Sequence, residues 1–176
     1  MMTNWKIIVF FLAGTLVLLL LLRFQGRQLI TPHAPAGILS LEFSYQIDDT
    51  HAIVQEWKPS LRTDFHVNML LDFLFIPFYG LFLYSTCGFF SVLFKKGWAQ
   101  RLGVLFAFGS LLAMVFDVVE NMAMCFSYHF YSTQFLSGIT TGIALLKFLL
   151  AGLAVLYSFL SAFFLLIFWK RKLKNG

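Results

Sequence analysis

The chain has 176 residues, 60% of them hydrophobic and 19% aromatic but only 12% charged, against roughly 25% charged in a soluble domain. That balance predicts an integral membrane protein, and the length allows one domain, at roughly 100–200 residues each. The net charge of +5 does not read as a nucleic-acid surface: Lys170, Arg171, Lys172 and Lys174 crowd the C-terminus, and Lys95, Lys96 and Arg101 share one short loop. Such a distribution sets membrane topology, and no DNA- or RNA-reading motif accompanies it.

Four apolar runs, about 5–22, 69–94, 102–126 and 136–169, each reach the ~18 residues of a spanning helix. They predict an all-α fold, a single membrane domain of four transmembrane helices in a bundle, with residues 23–68 as a small extracytoplasmic cap between helices 1 and 2. The first run is read as a retained helix, because Arg23-Phe24-Gln25-Gly26-Arg27 follows it and no small-x-small cleavage site is visible. Segments 95–101 and 170–176 are strongly basic, 127–135 carries no formal charge, and 23–68 mixes four basic with five acidic residues. The positive-inside rule then puts both termini in the cytoplasm and the cap outside. Trp5, Trp98 and Trp169 fall at the expected membrane boundaries, as an aromatic belt would have them.

The cap is too short and too poor in apolar residues to hold a core alone, so it should pack on the bundle. Pro32 and Pro35 make "LITPHAPAG" irregular, whereas "ILSLEFSYQI" alternates as a short extended or interfacial piece. "DDTHAIVQEW" opens with residues suited to a helix N-terminus and puts Ile53, Val54 and Trp57 on one side, predicting a short amphipathic helix. Pro59 ends it, and Ser60 is positioned to cap the second long helix, whose first turns are polar before Met69. Pro77 and Gly80 within that helix predict a kink. Cys87 and Cys125 fall near opposite ends of their helices, too far apart for a disulfide.

Polar stripes then predict inward faces, because residues at i, i+3, i+4 and i+7 share one side of a helix. Asp72, Tyr79 and Thr86 recur every seven residues in the second helix. In the third, Gly103, Ala107, Ser110, Met114, Asp117 and Asn121 line up, with Glu120 beside them. The fourth offers Thr140, Ala144, Lys147, Ala151, Ala154 and Ser158 on one side and a Gly138/Gly142 pair on nearly the opposite one, facing the first helix or another protomer. At 1.5 Å per residue, Asp117 and Lys147 lie about 14 and 16 Å below the same membrane surface. An Asp117–Lys147 contact is expected, with Asp72, Tyr79, Glu120 and Asn121 around it. A charge at mid-bilayer costs about 2.5–3.5 kcal/mol and marks a functional site by default, although pairs also pin helix register. Three carboxylates against one lysine must be balanced by protons or by a cation such as Arg62, His66, a metal ion or a basic ligand group. A metal site of Asp117, Glu120 and His129 or His66 has suitable ligand types but matches no standard spacing, so no metal or cofactor is assigned.

"ILSLEFS", "IVQEW", "LDFLFIPFYG" and "DVVEN" together resemble the pattern of a family of small four-helix bacterial integral membrane proteins with no assigned activity. The resemblance covers most of the chain from Ile38 to Asn121. It implies that Glu42, Trp57, Asp72, Tyr79, Asp117, Glu120 and Asn121 form one architectural set in the bacterial cytoplasmic (inner) membrane, and it carries no substrate or cofactor. Three roles follow in order: a non-catalytic ligand- or lipid-binding or accessory subunit, alone or as a homo-oligomer; an enzyme acting on a lipid-like substrate through the intramembrane carboxylates; and proton or cation transport. Lack of a nucleophile–base pair favours the first.

Overall fold

The computed structural model describes residues 4–94 and 97–174, and side chains only as far as residue 167. Lys95, Lys96 and the side chains of Trp169, Lys170, Arg171, Lys172 and Lys174 therefore lie outside the described residues. Six α-helices run in order: α1 (Trp5–Gln25), α2 (Ile38–Glu42), α3 (Ile47–Trp57), α4 (Arg62–Leu93), α5 (Trp98–His129) and α6 (Gln134–Lys174), with a 3-10 turn at Gly26–Leu29 after α1. No strand occurs among the described residues. Four of the helices, α1, α4, α5 and α6, are long and apolar enough to cross a membrane, and the chain is of the integral membrane class. The spans α4 and α5, at 32 residues each, are about 48 Å long, beyond the ~30 Å hydrocarbon core. Their surplus turns are the polar ends that meet the cap.

Apart from the start of α1 and the end of α4, which fall within one residue of the apolar runs, the long helices begin and end two to seven residues outside them, because helices continue into the interface where composition is no longer apolar. Leu61, without a side-chain cap, precedes α4 in place of Ser60. The helix passes through Pro77 without interruption. Trp5 and Trp98, at the starts of α1 and α5, are largely exposed, as belt residues should be.

"ILSLEFSYQI" is not extended. Its first half is the helix α2, set up by Gly37, whose φ of 61° is one that glycine adopts freely. The Ser40 hydroxyl also accepts a hydrogen bond from Ala36 N, at 2.9 Å. The predicted amphipathic helix forms as α3 and buries Ile53, Val54 and Trp57.

Helices α4, α5 and α6 pack mutually and form the core of the bundle, whereas α1 packs chiefly on α4 and has no buried residue. Close approach inside the core relies on small residues. A β-carbon at Gly103 would meet the Tyr157 hydroxyl and stand 2.7 Å from Ser91 Cβ. On α1, Gly14 accommodates the Phe78 ring of α4, around which Phe10 and Phe11 also gather. The Gly138/Gly142 pair does not meet the first helix. Gly138 lies under Tyr45, and nothing surrounds the position a Gly142 side chain would take, because α1 sits on the other side of the bundle against α4.

The segment between α1 and α4 covers one end of the bundle and shares a hydrophobic cluster with it. Leu29, Leu41, Ile53, Val54 and Trp57 pack with Phe65 and Met69 of α4 and Met124 and Tyr128 of α5, and the Phe65 and Tyr128 rings stack at 4.0 Å. A run of hydroxyls fastens the same segment to α6: Thr50 Oγ1 lies 2.8 Å from Ser44 Oγ and 2.9 Å from Ser137 Oγ, which in turn is 3.1 Å from Ser132 Oγ. Trp57 is fully buried at the centre of this contact, so Trp57→Ala should cost about 3–5 kcal/mol by cavity formation. Thermal unfolding in detergent would then show a clearly lower midpoint, and an unchanged midpoint would mean that the segment does not depend on this core.

Candidate functional site

Lys147 of α6 is the centre of the site. It is a buried ammonium, 6% exposed, held 2.7 Å from Asp117 Oδ1 of α5, 3.0 Å from Glu120 Oε2 and 3.5 Å from Glu42 Oε2. The Asp117 contact is a hydrogen bond, and the Glu42 and Glu120 oxygens are ion-pair neighbours of the same ammonium. Asp117 is held from both sides, since Tyr79 of α4 donates to its Oδ2 at 2.8 Å. One turn nearer the cap, Asn121 Nδ2 donates to Asp72 Oδ2 at 2.5 Å.

Of the six residues expected to converge, Tyr79, Asp117, Glu120 and Lys147 meet directly, with Asp117 paired to Lys147 as the depth arithmetic expected, and Asp72 and Asn121 form a second pair one turn nearer the cap. The spacing-based reading left out Glu42, which only the family resemblance had grouped with the others. Glu42 ends α2, and its backbone carbonyl accepts a hydrogen bond from Thr141 Oγ1 of α6 at 3.2 Å, so the cap is tied to the span next to Lys147. One sequence signal was available: Glu42 is a lone acid in an otherwise apolar segment. The site therefore holds four carboxyl groups and one lysine. Burial pushes the Glu42 carboxyl up to about 7, Lys147 opposing the rise and Asp72 and Asp117 adding to it.

The expected histidine partners are elsewhere. His66 Nε2 and His129 Nε2 lie 3.0 Å apart at the surface, His33 pairs with Glu56 at 3.2 Å, and His51 is exposed. Among the described residues no three His, Cys, Asp or Glu side chains meet in a way that could hold a metal ion. The residues of the metal alternative are not brought together: Asp117 and Glu120 surround Lys147, whereas His66 and His129 pair at the surface. Arg62 and His66, proposed as balancing cations, remain at the surface end of α4, where His66 Nδ1 pairs with the Arg62 carbonyl at 2.5 Å. Cys87 and Cys125 are both free.

Beside the cluster lies a cleft of about 770 Å³ between α1, α4 and α6, roofed by residues of the 30–42 segment. It exists because α1 leans on α4 alone and does not close against α6. Leu19 and Leu22 of α1, Phe75 and Phe82 of α4 and Phe148 and Val155 of α6 make its walls mostly apolar. Glu42, Asp72, Tyr79, Asp117 and Lys147 supply the polar part, whereas Glu120 and Asn121 are behind them and outside the lining. Asn68, Arg23 and Arg27, none of them expected from the sequence as site residues, border the end nearest the cap. No family model matches the chain, and neither the curated proteins nor the solved structures contain a match to it.

Removing the cation strands buried carboxylates, so Lys147→Met should destabilise by about 3–5 kcal/mol. Asp117→Asn in the same chain should return part of that loss; additive losses in a double-mutant cycle would refute the coupling. Glu42 gives a pH signature of definite sign. Its folded value of about 7 exceeds the ordinary 4.5, so the folded state retains a proton that the unfolded chain releases. The stabilisation is complete below about 4.5 and is lost as pH rises through about 7. Stability should fall across this window, and Glu42→Gln should flatten the profile measured by chemical unfolding at each pH.

Proposed function

We propose that this protein binds a lipid-like amphiphile in the α1–α4–α6 cleft, acting as a binding or accessory subunit of the bacterial cytoplasmic membrane. Both termini are then cytoplasmic and the 23–68 segment is extracytoplasmic. The observation that supports this reading is the cleft's composition. An apolar trough of about 770 Å³ with charged and hydroxyl groups at one level suits a molecule with a chain and a polar part. Ligand pockets of this size, mostly apolar with few convergent polar groups, bury most of a bound molecule's surface. In a bilayer the same cleft is reached sideways from lipid, past the exposed apolar face of α1.

A second reading, acid–base chemistry on such an amphiphile, is favoured by Glu42. It borders the cleft and holds its proton up to about 7, near the value that general acid–base catalysis uses at neutral pH. Transport has less support. In the lower half, Thr86, Ser110 and Ser158 each donate to a carbonyl of their own helix, at 2.7–2.8 Å, and between helices there stand the isolated contacts of Cys87 with Ser158 and of Tyr157 with the Ala99 carbonyl.

Filling the cleft tests the reading. Ala151 lines it and borders the Leu83–Ala154–Tyr157 core, and Ala151→Trp should expel an occupant. Protein purified in mild detergent should release an amphiphile in near-stoichiometric amount on solvent extraction and mass spectrometry. The variant, with its unfolding midpoint retained, should release several-fold less. Equal retention by both proteins would sink the proposal.

A further inference from the structure

The cleft is ordered along its length, and that order describes its occupant. Its deep end is apolar, with Phe82, Ala151 and Val155. Next come the Asp117–Lys147 pair and Tyr79, already bonded to one another. Toward the cap, two buried acceptors that line the cleft make no hydrogen bond among the described residues: Glu42 Oε2, whose nearest cation is Lys147 Nζ at 3.5 Å, and Asn68 Oδ1. The orientation of Asn68 follows from its Nδ2, which donates to Gln25 Oε1 at 2.8 Å. At the cap end stand Arg23 and Arg27, exposed and four residues apart on the same side of the chain. Among the described residues neither has an ion-pair partner.

Levels along the axis follow from two contacts. Gln25, between the arginines, donates to the Asp64 carbonyl at 2.7 Å and accepts from Asn68, so the arginine pair is level with the first turns of α4. Asp72 is one turn deeper, about 6 Å. Unsatisfied acceptors call for a hydroxyl or ammonium donor, since a buried acceptor without one costs about 1–3 kcal/mol. Paired arginines at headgroup depth suit a phosphate, whose oxygens the guanidinium fork matches.

We propose that the occupant is a phosphomonoester amphiphile of the lysophosphatidate type: phosphate on Arg23 and Arg27, the adjoining hydroxyl or amine on Glu42, Asn68 and Asp72, and the acyl chain beside Phe82 and Val155. The order phosphate, donor, chain matches the order along the cleft. A hydrophobic anion without a donor leaves the two acceptors unmet, and a neutral glyceride leaves the arginines unused. This inference rests on the amphiphile-binding reading above and adds the chemical class of the ligand.

Binding to the full chain in detergent can be followed by native mass spectrometry with three probes: oleoyl-lysophosphatidate, monoolein, which lacks the phosphate, and oleyl phosphate, which lacks the donor. Lysophosphatidate should bind tightest. The Arg23→Gln/Arg27→Gln variant should bind it about tenfold or more weakly, as loss of charge-assisted hydrogen bonds implies, with monoolein affinity unchanged. Both arginines are exposed and unpaired, so this variant should fold as the parent does. Monoolein binding as tightly as lysophosphatidate, or an unaltered affinity in the arginine variant, would overturn the phosphate assignment and leave the cleft reading intact. Oleyl phosphate binding as tightly as lysophosphatidate would overturn the donor assignment. Failure of all three probes to compete with one another at the Ala151 site would overturn both readings.

Discussion

A single ammonium, that of Lys147, holds together what four segments contribute. Around it stand carboxyl groups from the cap (Glu42) and from α5 (Asp117 and Glu120), and α4 adds Tyr79, bonded to Asp117, with the Asp72–Asn121 pair one turn away. A lone lysine at this depth would cost about 2.5–3.5 kcal/mol, and a lone carboxylate would also be unfavourable. Each helix therefore carries a charge that is tolerable only when the others are in register. That requirement fixes the rotation and depth of α4, α5 and α6 more narrowly than apolar packing could, because lipid tails solvate leucine as well as a neighbouring helix does. The small residues at Gly103, Ala107 and Ala154 then permit the close approach that the charges demand.

The same arrangement explains why α1 stands apart. Its stripe carries no charge and no buried residue, so nothing obliges it to join the polar core. It is anchored by the Phe78 contacts at mid-height and by Gln25 at the cap end. Between these anchors and α6 the cleft stays open. A bundle whose fourth helix carried a polar stripe would have closed this space, so the apolar character of α1 is what leaves the cluster accessible from one side.

Most of the spans and their inward faces were legible in the sequence, since a seven-residue recurrence of polar or small side chains among apolar ones has one explanation in a helix. The Asp117–Lys147 contact was legible for a different reason: rise per residue converts sequence distance into depth, and a short loop joins the two helices. Glu42 was hidden from such reasoning because it lies outside any span, at the end of a five-residue helix whose pattern resembled a strand. The Ser44, Thr50, Ser132 and Ser137 hydroxyls were hidden likewise, being common surface residues until the fold brings them together. Arg23 and Arg27 looked like the polar flank of a retained first helix. Only the position of α1 relative to α4 turns them into a boundary of the cleft.

Charge is also distributed unevenly around Lys147, and the unevenness gives the site a direction. Asp117 takes the close hydrogen bond and Glu120 the next ion-pair contact, the latter from the side away from the cleft. Glu42 is the more distant neighbour, at 3.5 Å, and Asp72 has only an amide partner. The lysine is thus largely spent on α5, and the acidic surplus is displaced toward α2 and α4, where it faces the cleft. Of the acceptors without a hydrogen bond, those of Glu120 and Asn121 lie behind the cleft, whereas Glu42 Oε2 and Asn68 Oδ1 face it. An incoming donor group would meet them first, with the Lys147 pair behind them keeping the wall in place.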